Sequence, residues 1–122
     1  AAIAVAALAA NILVVNNLRD LATDAAAGKH TLAVRLGEQG SVREYRLLLA
    51  IAFAIPVVMA ITDPSRLGWL LVWLIAPRAW SLARKVAITR GPVLNPLLGA
   101  TAKLGLWYAI ALAGGIILER WL

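Results

Sequence analysis

Two aspartates set one helical turn apart are the residues whose types and spacing suit chemistry. They are Asp20 and Asp24, in a polar stretch that follows eighteen uncharged residues. If residues 16–27 form one continuous helix, both carboxylates share a face with the amides of Asn16 and Asn17. Two like charges one turn apart repel each other, so we expect a cationic side chain between them.

Carboxylate and amide oxygens are the ligands that a hard divalent cation prefers. Mg²⁺ is commonly held by one or two carboxylates together with substrate phosphates, and neighbouring Lys and Arg neutralise the remaining charge. Spacing alone leaves two interpretations of Asp20 and Asp24 open: a magnesium-diphosphate site, or an ordinary solvated helix end. Arg19 and Thr23 lie on a different face of an ideal helix, so the spacing does not make them direct ligands.

The composition indicates an integral membrane protein. Hydrophobic residues make up 62% of the 122 residues and charged residues 15%, and the mean hydropathy is +0.83, outside the range of soluble globular chains. The net charge of +6 is typical of basic residues that flank membrane spans, so we expect the lipid bilayer as partner and no nucleic acid. The chain has no cysteine, which excludes thiolate chemistry and disulfides.

Four apolar segments are long enough to cross a bilayer. The first, about eighteen residues, is roughly 27 Å long as a helix, just sufficient for the hydrocarbon core. The sequence therefore predicts an all-α, polytopic transmembrane helix bundle with polar loops at 19–41 and 89–95. The four predicted spans are about 1–18, 42–62, 66–88 and 96–118.

Local signals place several helix ends. Gly28 is a natural C′ residue for a helix that contains the two aspartates. The sequence Ser41-Val42-Arg43-Glu44 has the form of a capping box and predicts the start of the second span, which Pro56 should kink. For Thr31–Gly37, a short interfacial helix and an extended segment both remain possible. Asn95-Pro96 predicts an N-cap followed by proline at the first helical position.

The basic residues are distributed unevenly between the two ends of the spans. The end that carries the aspartates has eight of them, against Arg66 and Arg120 at the other end. By the positive-inside rule the aspartate-bearing loop and the 89–95 loop are cytoplasmic. The eight residues are Arg19, Lys29, Arg35, Arg43, Arg46, Arg84, Lys85 and Arg90.

Some polar and small residues have simpler interpretations. His30, the sole histidine, lies in a polar loop, where we expect an exposed side chain rather than a catalytic base. For Lys103, extension to the aqueous surface and a position facing a cavity are both open. Gly99, Gly105, Gly114 and Gly115 are expected to permit close helix packing.

Residues 16–37 carry a family resemblance. The stretch NNLRDLATDAAAGKHTLAVRLG resembles the second aspartate-rich motif of the UbiA superfamily of intramembrane prenyltransferases. Within that superfamily it is most similar to the branch of menaquinone biosynthesis that prenylates 1,4-dihydroxy-2-naphthoate. The match extends over about twenty-two residues at fixed spacing, which makes it specific.

The resemblance implies a bundle of roughly nine spans, with two aspartate-rich motifs facing each other across a cavity open to the bilayer. Each motif binds Mg²⁺, which holds the prenyl diphosphate. Departure of the diphosphate leaves an allylic carbocation, and the naphthoate ring attacks it with loss of its carboxylate, giving demethylmenaquinone. The implied location is the inner (cytoplasmic) membrane.

The resemblance also implies roles for individual residues. Asp20 and Asp24 are metal ligands and, with Lys29, the catalytic residues. The diphosphate-binding set is Asn16, Asn17, Arg19, Lys29 and Arg35.

The sequence departs from the family in one respect, because the first aspartate-rich motif does not occur in it. We therefore expect residues 1–122 to be the C-terminal half of one prenyltransferase domain, inactive without the N-terminal half. Two alternatives remain: a related prenyltransferase with another aromatic acceptor, and a non-catalytic membrane subunit. A phosphotransferase of the CDP-alcohol type is disfavoured because its D-G-x-x-A-R pattern is absent.

Overall fold

Helices account for nearly all of the chain in the computed structural model, which describes residues 1–121. No strand occurs in this range, so the predicted all-α class is confirmed. Five α-helices and two 3₁₀ segments follow one another. They are α1 (Ala2–Arg19), α2 (Leu21–Ala26), α3 (Leu32–Thr62), a 3₁₀ segment (Pro64–Ile75), α4 (Ala76–Ile88), a short 3₁₀ segment (Gly91–Leu94) and α5 (Asn95–Leu118).

Three helical stretches in the described chain are long and apolar enough to cross a membrane: Ala2–Arg19, Leu32–Thr62 and Gly91–Leu118. They contain the first, second and fourth predicted spans. The predicted third span, 66–88, is divided into the long 3₁₀ segment and α4. Pro77 is the physical reason, because its ring would clash with the carbonyl four residues earlier in a continuous α-helix.

Helices α3 and α5 both pack against α1 and run in the same direction. The hydroxyl of Tyr45 lies 3.1 Å from that of Thr101, and seven residues further along both helices Tyr108 donates to the carbonyl of Ala52. Both pairs are 56 residues apart in sequence, which fixes the parallel alignment. The intervening residues 64–88 therefore return the chain along the bundle in two pieces.

The return segment approaches α5 very closely at one point. A Cβ atom added to Gly68 or to Gly115 would overlap the backbone carbonyl of the other residue. The predicted packing role is thus confirmed at Gly115. At Gly105 an added Cβ would make an ordinary contact with Leu8, 3.9 Å away.

Two other glycines do not have the predicted packing role. An added Cβ at Gly99 or Gly114 would find no atom within 4 Å. Both glycines are in α5, and neither provides the close approach seen at Gly115.

The capping-box prediction is wrong. Helix α3 begins at Leu32, where the Thr31 hydroxyl accepts from the amide of Val34 at 3.3 Å. Ser41 lies inside the helix and donates its hydroxyl to the carbonyl of Gly37 at 2.9 Å. Gly37 adopts φ 72°, a conformation open to glycine, and the two helical pieces join there. Thr31–Gly37 is thus mostly helical, and the predicted loop 19–41 contains α2 and the start of α3.

Proline in α3 leaves one carbonyl without its helical partner. Inside α3 the backbone departs from helical angles at Gly37 rather than at Pro56, where a kink was predicted. Pro56 has no N–H to offer the carbonyl of Ala52, four residues earlier. Tyr108 supplies the missing donor, which agrees with the general rule that neighbouring helices satisfy such groups in membranes.

The two polar stretches that the sequence predicted as loops, 19–41 and 89–95, meet at one end of the bundle. Arg90 pairs with Glu38 at 3.0 Å, joining the end of α4 to the start of α3. Arg19 donates to the side chain of Asn95 at 3.0 Å, joining the end of α1 to the start of α5. The predicted N-cap at Asn95 is wrong, because Asn95 has helical backbone angles and is the first residue of α5, so that Leu94 takes the cap position.

Candidate active site

Asp20 lies at a break between two helices. Its backbone has φ −93° and ψ 4°, which ends α1 at Arg19 and starts α2 at Leu21. Helical hydrogen bonds nevertheless cross the break, from Asp20 N to Asn16 O at 3.2 Å and from Asp24 N to Asp20 O at 2.8 Å. Residues 16–27 are therefore not one continuous helix, but the two aspartates keep their separation of one turn.

The Asp20 carboxylate is bound by its neighbour Arg19 through two parallel bonds. The distances are 2.7 Å from Nε to Oδ1 and 2.8 Å from Nη2 to Oδ2. Bidentate pairs of this kind fix both position and orientation. The hydrogen bond from Arg19 lowers the pKa of Asp20 below its ordinary value, so this carboxylate stays ionised at neutral pH.

Arg19 uses its remaining donor to reach a distant helix. Its Nη1 lies 3.0 Å from the side-chain oxygen of Asn95. The guanidinium therefore positions Asp20 relative to α5 rather than only pairing with it. Asn95 was not identified as a site residue from the sequence, because the contact joins residues 76 positions apart.

Asp24 is paired with Lys29 through a sharp reversal of the chain. The amide of Lys29 donates to the carbonyl of Asp24 at 2.9 Å, and the amide of Gly28 to that of Ala25 at 3.1 Å. These two bonds define a Schellman motif, with Gly28 at C′ and φ 71°. The predicted helix end at Gly28 is confirmed, and the reversal brings Lys29 Nζ within 3.0 Å of Asp24 Oδ1.

Each aspartate thus has its own cation. The expectation of a single cation between the two is wrong, because Arg19 and Lys29 approach from opposite ends of α2. The side chains differ in access: Asp20 is 36% exposed and Asp24 13%, while Lys29 is 64% exposed. The ammonium of Lys29 thus lies mostly in solvent, whereas the Asp24 carboxylate is largely covered.

The other predicted site residues make fewer polar contacts in the described chain. Asn16 and Asn17 are half-buried on the last turn of α1, directly before the aspartates. Arg35 is exposed on the first turn of α3 and forms no ion pair with either aspartate in the described chain. His30 is exposed, as predicted. Thr23 donates its hydroxyl to the carbonyl of Asp20 at 2.9 Å and stabilises the start of α2.

The donor set fits a magnesium ion that is shared with a ligand. Within residues 1–121 no group of three or more His, Cys, Asp or Glu side chains lies close enough to enclose a metal. Two carboxylates one turn apart, with Asp20 partly exposed and Asp24 mostly covered, match the way Mg²⁺ binds through one or two carboxylates plus phosphate oxygens. Asp20 and Asp24 are the residues that would hold it.

Comparison with known proteins gives the same family as the motif. The UbiA prenyltransferase family model matches residues 1–96. The chain is 42% identical over 117 residues to the 1,4-dihydroxy-2-naphthoate octaprenyltransferase of Mycobacterium tuberculosis, covering 94% of this chain and 39% of the relative. It is 36% identical over 116 residues to the protein of the same name in Escherichia coli, covering 93% and 37%.

A mammalian protein is also similar. The UbiA prenyltransferase domain-containing protein 1 of Mus musculus is 36% identical over 107 residues, covering 88% of this chain and 30% of the relative. No solved structure gives a significant match. The chain spans about two-fifths of the length of the bacterial relatives. The chain belongs to the UbiA prenyltransferase family.

Proposed function

We propose that this chain supplies one half of the diphosphate site of a membrane enzyme that transfers a polyprenyl group from a prenyl diphosphate to 1,4-dihydroxy-2-naphthoate. The observation that carries the proposal is the pair Asp20 and Asp24, one turn apart, each held by its own cation. The names of the bacterial relatives support the donor and acceptor. The predicted sidedness of the spans supports a site at the cytoplasmic face of the inner membrane.

Asp20 and Asp24 would hold Mg²⁺, Lys29 would act on the diphosphate, and Arg19 would keep Asp20 in position. When bound, Mg²⁺ neutralises diphosphate charge and makes the group easier to expel. Lys29 is mostly exposed, so its ammonium can leave Asp24 and pair with a phosphate oxygen. Arg19 stays in place, because its guanidinium is bound to both Asp20 and Asn95, and it keeps the Asp20 carboxylate ionised and oriented.

The transfer itself is balanced within the two substrates. The bond between the allylic carbon and the diphosphate oxygen breaks, and its electron pair leaves with the diphosphate. A ring carbon of the electron-rich acceptor forms the new bond to the allylic carbon. The acceptor then loses its carboxylate as CO₂, the electrons of that bond return to the ring, and the product is demethylmenaquinone in its quinol form.

We propose further that residues outside this chain complete the site. Two carboxylates and two cations form one side of a diphosphate cavity, and the relatives are more than twice as long as this chain. A second cluster of carboxylates across the cavity would hold further Mg²⁺. In that case residues 1–122 expressed alone transfer no prenyl group.

The test uses the native gene product in membranes. Asp20→Asn and Asp24→Asn should each lower magnesium-dependent prenyl transfer by at least 100-fold, because the loss of one carboxylate removes a charged ligand at the reacting end. Asp63→Asn is the matched control, since Asp63 is an acid paired with Arg66 at the opposite end of the bundle, and it should keep full activity. Full turnover in both site variants would remove the metal-ligand assignment.

A further inference from the structure

A groove of ≈ 370 Å³ runs between α3 on one side and the end of the long 3₁₀ segment and α4 on the other, and neither Asp20 nor Asp24 lines it. Helices α3 and α4 are antiparallel, so the N-terminal end of the groove's α3 wall lies beside the C-terminal end of its α4 wall. Arg46 and Arg84 therefore lie at the same end of the groove. At the other end, Phe53 and Trp73 meet edge to face, with ring centroids 5.6 Å apart.

The groove is apolar between its two ends. On α3 it is lined by Leu49 and Ala50, and on α4 by Ala76 and Ala79. The small alanine side chains leave the space open. From Arg46 to Phe53 is seven residues, or roughly 10 Å along a helix, so the groove is long enough for the upper part of one acyl chain.

The charged end has no carboxylate to balance it. Arg46, Arg84 and Lys85 are exposed, and none forms an ion pair within residues 1–121. An adjoining cavity of ≈ 680 Å³ shares both arginines and adds Lys85 to its wall. Trp80 is 69% exposed and lines both cavities, as tryptophan does at the headgroup level of a bilayer.

We infer that this groove is a binding site for one anionic phospholipid of the surrounding membrane. Its phosphate and headgroup lie against Arg46 and Arg84, with Lys85 nearby, and the upper part of one acyl chain fills the apolar groove down to Phe53. Charge complementarity is the reason for choosing an anionic lipid, because cations beside a membrane span attract anionic lipid headgroups.

A prenyl diphosphate has the same general shape, an anionic head on an apolar chain, but the groove lacks what that ligand requires. No carboxylate lines it, so nothing there holds Mg²⁺. Helix α1, which carries Asp20 at its end, packs against α3 and α5, whereas the groove is formed by α3, the end of the long 3₁₀ segment and α4. None of the residues proposed to bind the diphosphate or Mg²⁺ lines the groove, so the lipid site shares no side chain with the proposed catalytic site.

Native mass spectrometry of the detergent-solubilised native gene product tests the inference. The probes are dioleoyl phosphatidylglycerol and dioleoyl phosphatidylcholine, which have identical chains. The anionic lipid should bind preferentially, and R46Q/R84Q should weaken it by roughly 25-fold, about fivefold for each guanidinium. Arg43→Gln, exposed on the same helix and outside the groove, is the control and should retain the preference.

Two further measurements test the lipid site independently of the double variant. Ala50→Trp fills the groove without changing charge, and it should reduce bound phosphatidylglycerol even if the double variant fails to fold. Farnesyl diphosphate in excess should leave the lipid bound. Equal binding of both lipids, an unchanged preference in R46Q/R84Q or in Ala50→Trp, or displacement by farnesyl diphosphate would overturn the inference.

Discussion

Lys29 Nζ lies 3.0 Å from Asp24 Oδ1, and the contact exists because the chain reverses at Gly28. The reversal is a Schellman motif whose C′ residue has φ 71°. The Gly-Lys sequence that follows the second aspartate thus turns the chain as well as supplying a positive charge. It returns a cation to the carboxylate one turn earlier.

Replacing Gly28 by alanine should loosen this reversal. An added Cβ would meet no atom within 4 Å, so the cost is conformational, about 1–2 kcal/mol for an L-residue in the left-handed region. We expect faster hydrogen exchange at the amide of Lys29 and a several-fold rise in the KM for prenyl diphosphate. Gly99→Ala is the control, since Gly99 is helical with equally open space. Equal behaviour of the two variants would contradict the role of the reversal.

Arg19 should control the acid limit of activity. The pKa of Asp20 is lowered chiefly by its hydrogen bond from Arg19, so the stabilising pair is complete above the ordinary aspartate pKa of about 3.9 and is lost as pH falls through the lower folded value. In Arg19→Gln the pKa of Asp20 rises, and the acid limb of the pH–rate profile should move to higher pH.

The matched variant for that profile is Arg43→Gln, which removes an exposed arginine that has no carboxylate partner within residues 1–121. Its acid limb should coincide with that of the unmodified protein. A profile for Arg19→Gln that also coincides would show that Arg19 does not set the ionisation of Asp20.

Tyr108 should contribute to the free energy of unfolding because Pro56 is present. Tyr108→Phe leaves the carbonyl of Ala52 without a donor, which should cost roughly 1–2 kcal/mol of unfolding free energy. In the background of Pro56→Ala the helix recovers its own N–H at that carbonyl, so Tyr108→Phe should then cost much less.

A double-mutant cycle in detergent measures this coupling. Tyr45→Phe serves as a comparison, because its partner Thr101 also donates to Leu97 at 2.8 Å and keeps that bond. If Tyr108→Phe costs the same with and without Pro56, the hydroxyl does not replace the missing amide.

The contact between Gly68 and Gly115 should be intolerant of even one methyl group. Gly115→Ala forces the 3₁₀ segment away from α5, and overpacking of this kind costs about 1–3 kcal/mol. Gly114→Ala is the neighbouring control, since a Cβ there meets no atom within 4 Å. Thermal unfolding of both variants in the same detergent makes the comparison, and equal midpoints would show that the close approach is not required.

Local patterns predicted the features that depend on local chemistry. The apolar stretches, the helix end at Gly28 and the one-turn spacing of Asp20 and Asp24 follow from a few adjacent residues each. The capping box at Ser41 failed although its pattern was good, because Thr31 already caps a helix that begins at Leu32 and continues through the bend at Gly37.

The contacts between helices could not be predicted in the same way. Arg19 and Asn95 are 76 residues apart, and Ala52 and Tyr108 are 56 apart. Each contact requires the lateral alignment of two helices, which no short pattern contains. The division of the third predicted span is intermediate: Pro77 was visible in the sequence, but the close approach of the preceding 3₁₀ segment to α5 at Gly68 was not.

Binding of an unreactive prenyl thiodiphosphate to the native gene product, titrated with Mg²⁺, tests the central claim most directly. Calorimetry should show that Mg²⁺ tightens binding at least tenfold in the unmodified protein and in Asp63→Asn, and that this gain is lost in Asp20→Asn and Asp24→Asn. A magnesium-dependent gain that survives in both site variants would contradict the assignment of these two aspartates to the diphosphate site.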